Sequence, residues 1–504
     1  MLRESHILLF SIFVAGLCSI VYELLIATTG SYFLGDSITQ FSVTIGIYMA
    51  FMGVGSYLSR FIADEGLLQK FIGFELLLAL LGGLCVPFLY LAYAVDVSVQ
   101  ITSVVLTAVI GTLIGLEIPL LSRLMEKHYT LKANLSNVLS IDYFGALIAT
   151  LVFPFILLPW LGIFKTSLTF GLINLSIALS LLWYFSSQLS ESPKRLLKRA
   201  FILVLCALVG MMIFSQKLNK AWNGHVYEDT VVHSEQSKYQ QVVMTRHKND
   251  VRLYLNGGLQ FSSIDEYRYH EVLVHPLMRR VKKAEHVLLL GGGDGLAVRE
   301  LLKYPQLKSI TVVDLDPAIA ELARENHYLT ALNDKAFDDP RVMVHHQDGM
   351  VFLSKTQVRF DAVFIDLPDP KTISLARLYS KQFYLMAKKI LKTDGVLITQ
   401  ATSPFFAKSA FWSIHNTLQA SGFDTLPLKV NVPSFGEWGF VMACKSECSI
   451  KQDYELSNTR FYSSLAEPML TQFTPDLAET GQLISTLDKP NVLYYYLDGW
   501  RYWN

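Results

Sequence analysis

The sequence predicts two architectures in one chain: an α-helical, multi-spanning membrane domain over residues 1–216, and behind it a doubly wound α/β domain. Three observations predict this. Long apolar runs crowd the first half, apolar strands alternate with amphipathic helices in the second, and the turn GGGDG joins the first of those strands to its helix.

Of the 504 residues, 52% are hydrophobic and 17% charged, with nearly all the apolar excess before about Lys217. Runs such as ILLFSIFVAGLCSIVYELLIATTG from Ile7 suit a bilayer-spanning helix, which needs ~20 residues. A removed signal peptide accounts for only one of them. Spans are expected at 7–29, 38–60, 70–95, 98–125, 138–162 and 164–187, with a shorter apolar stretch at 200–214. Soluble helices of this length carry a polar face, and these do not.

Counting from the N-terminus, Arg3, Arg60, Lys70, Arg123, Lys127, Lys132, Lys194, Arg195, Lys198 and Arg199 gather on one side. Lys165 falls on the other, with Lys217 and Lys220 if 200–214 crosses. The first side is therefore expected to be cytoplasmic, in a multi-pass protein of the cell inner membrane. Six crossings keep the second half in the cytoplasm, as expected here; a seventh would put it outside. Glu23, Glu75, Glu117 and Asp142 are acids within or near the spans. Solvation at span ends accounts for Glu75 and Asp142, and Arg123 offers Glu117 a partner. Glu23 lacks such an account.

Cysteines at 18, 85, 206, 444 and 448 suggest neither a disulfide framework nor a zinc site, and no metal is expected. Formal net charge is zero and no basic run interleaves with aromatics, which excludes a nucleic-acid partner.

From about His225 the composition is globular. A small β-rich part is expected over 221–280, the doubly wound sheet over 281–445, and a tail without assigned role over 446–504. HVLLLGGGDGLAVRELLKY from His286 reads strand, turn, helix; SITVVDLDPAIAELAREN reads strand, acids, helix. RVMVHHQDGMVFL, FDAVFIDLPDP and DGVLITQAT each hold an apolar strand that stops at polar residues. Such alternation implies a mostly parallel sheet, whose ligands bind at the carboxyl ends of the strands. Asp294, Asp314, Asp348, Asp366 and Gln400 lie just past five successive strand ends. A single acid there is commonly a helix cap, but five polar groups make a cleft.

The glycine turn has no lysine followed by Ser or Thr, so it is no phosphate-cradling loop. Asp314, about twenty residues on, sits where an acid accepts from ribose hydroxyls. Asp348-Gly349 could accept from an adenine amino group. The acid inside the turn, Asp294, repels phosphate and attracts a cation. A sulfonium nucleoside with an amine tail satisfies both demands.

Nine motifs in chain order carry a resemblance: SKYQ ending at Gln240, YLNGGLQ from Tyr254, DEYRYHE from Asp265, LLLGGGDG, VVDLDP, QDG, DLPDP, VLITQ, and GEWGF ending at Phe440. Over roughly 225–445 the chain resembles the polyamine aminopropyltransferases, the spermidine and spermine synthases. GDSITQFSVTIGIYMAFMGVGSYLSR and IDYFGALIATLVFPFILLPWLG resemble the N-terminal membrane domain of a bacterial branch of that family.

The resemblance implies a Rossmann-like sheet of the methyltransferase type and decarboxylated S-adenosylmethionine as co-substrate, without a cofactor. Gln240 and Asp314 would face the ribose, Asp348 and Gly349 the adenine, and His270 and Asp294 the aminopropyl tail. Asp366 would be the catalytic base and Asp369 a second ligand of the acceptor amine, with Tyr269, Gln400 and Trp438 lining its channel. The acceptor would be putrescine or a related amine, giving spermidine or an analogue and methylthioadenosine. Family members are commonly dimers or tetramers, so a homo-oligomer is implied beside the bilayer as partner. The chemistry agrees: an alkylammonium with a pKa near ~10 needs a base before it can attack the carbon beside a sulfonium.

Four departures bear on the acceptor. Leu367 and Pro368 stand where the family has Ser or Thr, KTISLARLYS lacks the Gly and Pro usual in its gatekeeping loop, Asn256 replaces an Asp, and Asp314 replaces a Glu. Two alternatives remain on sequence: a polyamine transporter or sensor with a non-catalytic synthase-like half, and an S-adenosylmethionine-dependent methyltransferase, which would have to place a carboxylate beside Asp294.

Overall fold

The computed structural model describes residues 2–34, 37–95, 97–227, 229–452, 458–501 and 503, with backbone alone at 2, 3, 37 and 216–226. The side chains of Arg3, Lys217 and Lys220, counted above for orientation, and tail residues 453–457 lie outside that description. The chain divides into two compact units, Met1–Glu228 and Asp229–Asn504.

The first unit is all helix: α1 (Leu2–Leu34), α2 (Ser37–Leu58), α3 (Leu67–Gly83), α4 (Cys85–Ala94), α5 (Val99–Met125), α6 (Leu131–Val152), α7 (Leu158–Tyr184) and α8 (Glu191–Val226). Among the described residues, five helical stretches are long and apolar enough to cross a membrane, or six if α3 and α4 count as one. Those two meet at a bend of 43°, so the span expected over 70–95 is broken. The stretch Leu131–Tyr184 is 54 residues long. At 1.5 Å per residue it would measure roughly 80 Å, far beyond a hydrocarbon core of about 30 Å. A π-helical turn at Phe153–Leu157 and a left-handed Gly162, φ 69°, divide it where the sequence suggested a boundary.

Two acids in this unit are placed otherwise than expected. Glu75 (1% exposed) and Glu117 (4%) are both buried, and Asn174 donates from Nδ2 to Glu75 Oε2 at 3.1 Å and to its main-chain oxygen at 3.2 Å. Solvation therefore does not account for Glu75, because α3 turns it toward α7. Arg123 is no partner of Glu117: it pairs with Asp64 and donates to the carbonyls of Ser59 and Ile62.

The second unit begins with an antiparallel sheet of β1 (Thr230–Gln236), β2 (Gln241–His247), β3 (Asp250–Leu255) and β4 (Gly258–Ser262), in that order. Asn256 (φ 48°) and Gly257 (φ 78°) make the two-residue β3–β4 turn. Positive φ at both centres is the type I′ geometry that favours Asn-Gly. Asn256 Oδ1 also accepts from Gln241 N at 2.9 Å, so the departure at 256 serves the turn.

There follow α9 (Glu266–Met278), β5 (His286–Gly291), α10 (Leu296–Leu302), β6 (Ser309–Asp314), α11 (Pro317–Glu325), α12 (His327–Leu332), β7 (Val342–His346), α13 (Gly349–Lys355) and β8 (Phe360–Asp366). Then come α14 (Ile373–Ala376), α15 (Lys381–Ile390), β9 (Leu391–Gln400), α16 (Lys408–Ala420), β10 (Asp424–Val432), β11 (Gly436–Cys444), α17 (Glu467–Leu470) and α18 (Asn491–Trp500). The sheet order is β10-β11-β9-β8-β5-β6-β7, parallel from β5 to β9, with β11 antiparallel to both its neighbours. Val287–Leu290 and Ala362–Ile365 of the two central strands are fully buried, as strands covered on both faces must be. The chain winds outward from β5 through β6 to β7, then returns to β8 on the other side of β5. That reversal is the crevice where such sheets take ligands.

Two features differ from the sequence reading. Cys444 and Cys448 are disulfide-bonded, because the turn after β11 brings Cys448 back to β10, where its N–H donates to Asp424 Oδ2 at 2.8 Å. The tail also has a defined course. Glu271 accepts three of its backbone N–H groups, from Arg460, Phe461 and Tyr462 at 2.7–2.8 Å, and Glu467 pairs with Arg279 and Arg280. Trp412 Nε1 donates to Leu477 O at 2.8 Å, and Trp500 stacks on Phe406 with ring centres 5.0 Å apart.

Candidate active site

The glycine turn after β5 sets the floor of the crevice. Gly291 faces Asp366 across the β5–β8 pairing, and a Cβ there would lie 1.9 Å from the Asp366 main-chain oxygen. Only glycine fits. The turn aims its backbone at β6, where Gly293 N donates to Asp314 Oδ2, while Asp316 N, just past β6 itself, donates to Asp314 Oδ1, both at 3.0 Å. Burial raises the Asp314 carboxyl above its ordinary range against those two bonds.

Gln240 enters this corner from the β1–β2 connection by way of Asp316, which accepts from Gln240 Nε2 at 3.1 Å and from Ser237 Oγ at 2.5 Å. Sequence reasoning missed Asp316, although it is the second acid of the quoted VVDLDP. Asp348 has the plainer role that a strand-end acid can take: its Oδ1 caps α13 through Val351 N at 3.0 Å, while its other oxygen pairs with Arg377. Gly349 is the first residue of that helix.

Across the turn, four of the sequence candidates converge. Tyr269 Oη donates to Asp366 Oδ1 at 2.6 Å, and the neighbouring His270 binds Glu266 through Nδ1 at 2.8 Å. Glu266 is gripped from its far side by Arg299, at 2.9 and 3.0 Å. Burial opposes a charged His270, but Glu266, Asp294 and Asp366 outweigh it and hold its pKa up at about 9. Burial pushes Asp294 up to about 6, with His270 pulling the other way and Asp366 adding to the rise. Asp366 is raised by burial too, against His270 and the Tyr269 hydroxyl.

The second acid of the DLPDP turn has its own surroundings. Asp369 is pushed up to about 6 by burial, opposed by hydrogen bonds that include Gln400 and Tyr496 and by the charge of Lys371. Gln400 Nε2 lies 3.4 Å from Asp369 Oδ1 and 2.6 Å from Leu367 O, and its Oε1 accepts from Thr402 N at 2.9 Å. Tyr379 Oη donates to the carbonyls of Leu367 and Pro368 at 3.1 and 3.0 Å. Trp438 lies beside Phe435, which packs on Tyr269; its buried indole N–H has no partner among the described residues.

Glu266, Arg299, Tyr379 and Tyr496 were not foreseen. Glu266 was within reach, since it stands four residues before His270 inside DEYRYHE and therefore on the same helical face. Tyr496 carries no local signal.

The chain was compared with known proteins. A model of the spermine/spermidine synthase domain matches residues 266–454. Polyamine aminopropyltransferase 2 of Ralstonia nicotianae is 40% identical over 507 residues, covering 99% of this chain and 99% of its own. The polyamine aminopropyltransferase of Leptospira interrogans is 41% identical over 97% of this chain and 98% of its own. A crystal structure of a spermidine synthase in complex with the transition-state analogue AdoDATO matches at 25% identity and a TM-score of 0.44, covering 48% of this chain and 85% of its own. Sharing about two fifths of its residues with curated relatives over essentially their whole length, this chain belongs to the polyamine aminopropyltransferase family, that of the spermine and spermidine synthases.

Proposed function

We propose that this enzyme moves the aminopropyl group of decarboxylated S-adenosylmethionine to putrescine or a related amine, giving spermidine or its analogue and methylthioadenosine. One observation carries this: three part-buried carboxyl groups, Asp294, Asp366 and Asp369, each raised by desolvation, ring the crevice at the switch point of the sheet. Both substrates are cations, and such a ring suits them. Asp314 and Gln240 would hold the ribose, Asp348 and Gly349 the adenine, and Asp294 the ammonium of the aminopropyl tail. His270, fixed by Glu266, would position Asp294 and Asp366. The acceptor amine attacks the CH2 beside the sulfonium; the C–N bond forms as the C–S electrons return to sulfur, and neutral methylthioadenosine leaves. Asp366 takes the amine proton on the oxygen not engaged by Tyr269. Asp369 holds the acceptor in line, with Tyr269, Gln400 and Trp438 along its channel. A methyltransferase would need the substrate's carboxylate beside buried Asp294, where like charges repel.

The test is methylthioadenosine release from decarboxylated S-adenosylmethionine against a panel of di- and polyamines, with S-adenosylmethionine as the comparison. Release that needs an amine and is absent with the carboxylated nucleoside is expected; amine-independent release would overturn the assignment. The reaction should also fail on the acid side. Asp294 and Asp369, held up at about 6, lose their charge as pH falls through that value, so kcat/KM drops about tenfold per unit below it for each of the two that is needed, up to about a hundredfold for both. A profile flat from pH 8 to 5 would count against both acids.

We further propose that the helical unit crosses the bilayer and that the transferase unit faces the cytoplasm. Six crossings return the chain to its starting side. Helix α8 is the deciding one: its stretch Glu191–Ser215 is itself among those long and apolar enough to cross, but its uninterrupted apolar run, 200–214, covers only about 22 Å of a ~30 Å core, which favours six crossings. The Cys444–Cys448 disulfide favours the opposite side, since such bonds persist in oxidising compartments. An Asn249→Cys variant in the exposed β2–β3 turn decides: a membrane-impermeant thiol reagent should leave it unlabelled in intact cells and label it in opened ones.

A second role for the helical unit, amine translocation, is favoured by Glu75, Glu117 and Asn174. Glu75 Oε1, Glu117 Oε1 and Asn174 Oδ1 are buried oxygens with no hydrogen-bond partner among the described residues, as a cation-binding set would be. If so, Glu117→Gln abolishes flux of labelled spermidine in proteoliposomes and leaves methylthioadenosine release intact.

A further inference from the structure

We propose that α18 forms a wall of the acceptor-amine subsite and that its Tyr496 is a specificity-determining positioning residue acting through Asp369. The proposal rests on the transferase reading above. It goes beyond the matched synthase domain, which ends at residue 454, while α18 begins at Asn491.

Three observations converge on it. The first is chemical. Between the two acids stand Leu367 and Pro368, neither of which has a hydroxyl, and their carbonyls are tied to Tyr379 Oη. The turn therefore offers Asp369 no hydroxyl of its own. Gln400, at 3.4 Å, is a distant donor, and the hydroxyls that act on the Asp369 carboxylate are those of Thr402 and, more than a hundred residues downstream on α18, Tyr496. A neutral phenol is well suited to this place. It fixes the carboxylate's orientation without cancelling its charge, which remains for an ammonium.

The second observation is mechanical. After the DLPDP turn, the segment that lacks the expected Gly and Pro forms α14, and α14 packs against α18. Ala376 and Leu375 share one apolar cluster with Val492, Leu493 and Tyr496. The loop that would gate the site is thus backed by the C-terminal helix.

The third is anchorage. Trp500 stacks on Phe406, and a Cβ at Gly499 would come within 2.7 Å of the Phe406 main-chain oxygen, so α18 lies in close contact with the loop after β9. That loop follows Gln400 directly. Helix, gate and Gln400 are therefore held as one wall, whose distance from Asp366 sets the length of amine that can present its nitrogen to the base.

The test compares wild type with Tyr496→Phe and Trp500→Ala on putrescine, cadaverine and spermidine. Tyr496→Phe is expected to raise KM for putrescine about tenfold, the worth of one hydrogen bond to a charged group, with kcat within about threefold and KM for the nucleoside unchanged. Trp500→Ala, which loosens the wall, is expected to shift preference toward the longer amines. In an Asp369→Asn background, Tyr496→Phe should add less than a twofold effect, since its partner's charge is already gone. Active wild type with unchanged acceptor KM in Tyr496→Phe overturns the proposal. So does an equal rise in nucleoside KM, which would mark a merely structural role, or full multiplicativity with Asp369→Asn. Wild type that releases no methylthioadenosine with any amine would instead sink the transferase reading beneath it.

Discussion

Asp366→Asn is expected to lower kcat about a thousandfold while leaving KM for decarboxylated S-adenosylmethionine within about threefold, in line with the loss of a positioned general base. The amide keeps Oδ1, so it can still accept from Tyr269 Oη, now at 2.6 Å, and the end of β8 need not shift. What it loses is the charge and the lone pair aimed at the amine. The contrast with Asp369→Asn makes the assignment testable. In the proposed assignment Asp369 would hold the acceptor rather than take its proton, so its amide variant should act mainly on the amine's KM. Stopped assays of methylthioadenosine with both variants read the two parameters apart. Residual kcat above about a tenth in Asp366→Asn would mean that another group, or bulk water, takes the proton.

The largest expected effect on stability belongs to Glu266. It is 2% exposed, sits between His270 and Arg299, and bonds both. Glu266→Ala leaves buried His270 without its bonded counter-charge and Arg299 with Glu300 alone, and breaking such a buried pair typically costs about 3–5 kcal/mol. The pH dependence has a definite sign. His270 is held up at about 9, so the stability its charge contributes is complete below its unfolded pKa of about 6.5 and is lost as pH rises through 9. Glu266 is lowered, burial being outweighed by His270 and Arg299, so its contribution is present above about 4.5 and lost as pH falls through its folded value. Thermal unfolding of the detergent-purified chain from pH 6 to 10 should therefore show a decline toward pH 9 in wild type that is absent in the variant. Equal curves would remove the ion network from any role in holding the site.

The parts of this site that could be read from sequence are those governed by local rules. Strand period, a glycine turn and an acid at each strand end located Asp294, Asp314, Asp366 and Gln400, because a parallel sheet gathers its strand ends along one edge. Asp348 met the same rule and also caps α13 and pairs with Arg377, since a short polar side chain before a helix satisfies free N–H groups wherever it stands. Contacts made across the fold left no trace. Arg299 lies 33 residues from Glu266, and Tyr379 binds carbonyls, which every residue has. In the helical unit, hydropathy marked the spans but not the bend between α3 and α4, where Pro87 has no N–H to give to the Gly83 carbonyl. It also misjudged Glu75, because apolar averaging says nothing about which way one acid faces.

The course of the tail ties folding to synthesis in one direction. A ribosome that has released residue 454 has made every strand of the sheet and both acids of the DLPDP turn, yet Glu271 still lacks the three N–H groups it will accept and Asp369 lacks its tyrosine. If α18 walls the amine subsite as proposed, selection of an amine would come only when α18 docks, and a chain cut short before Asn491 would be expected to bind the nucleoside without selecting an amine.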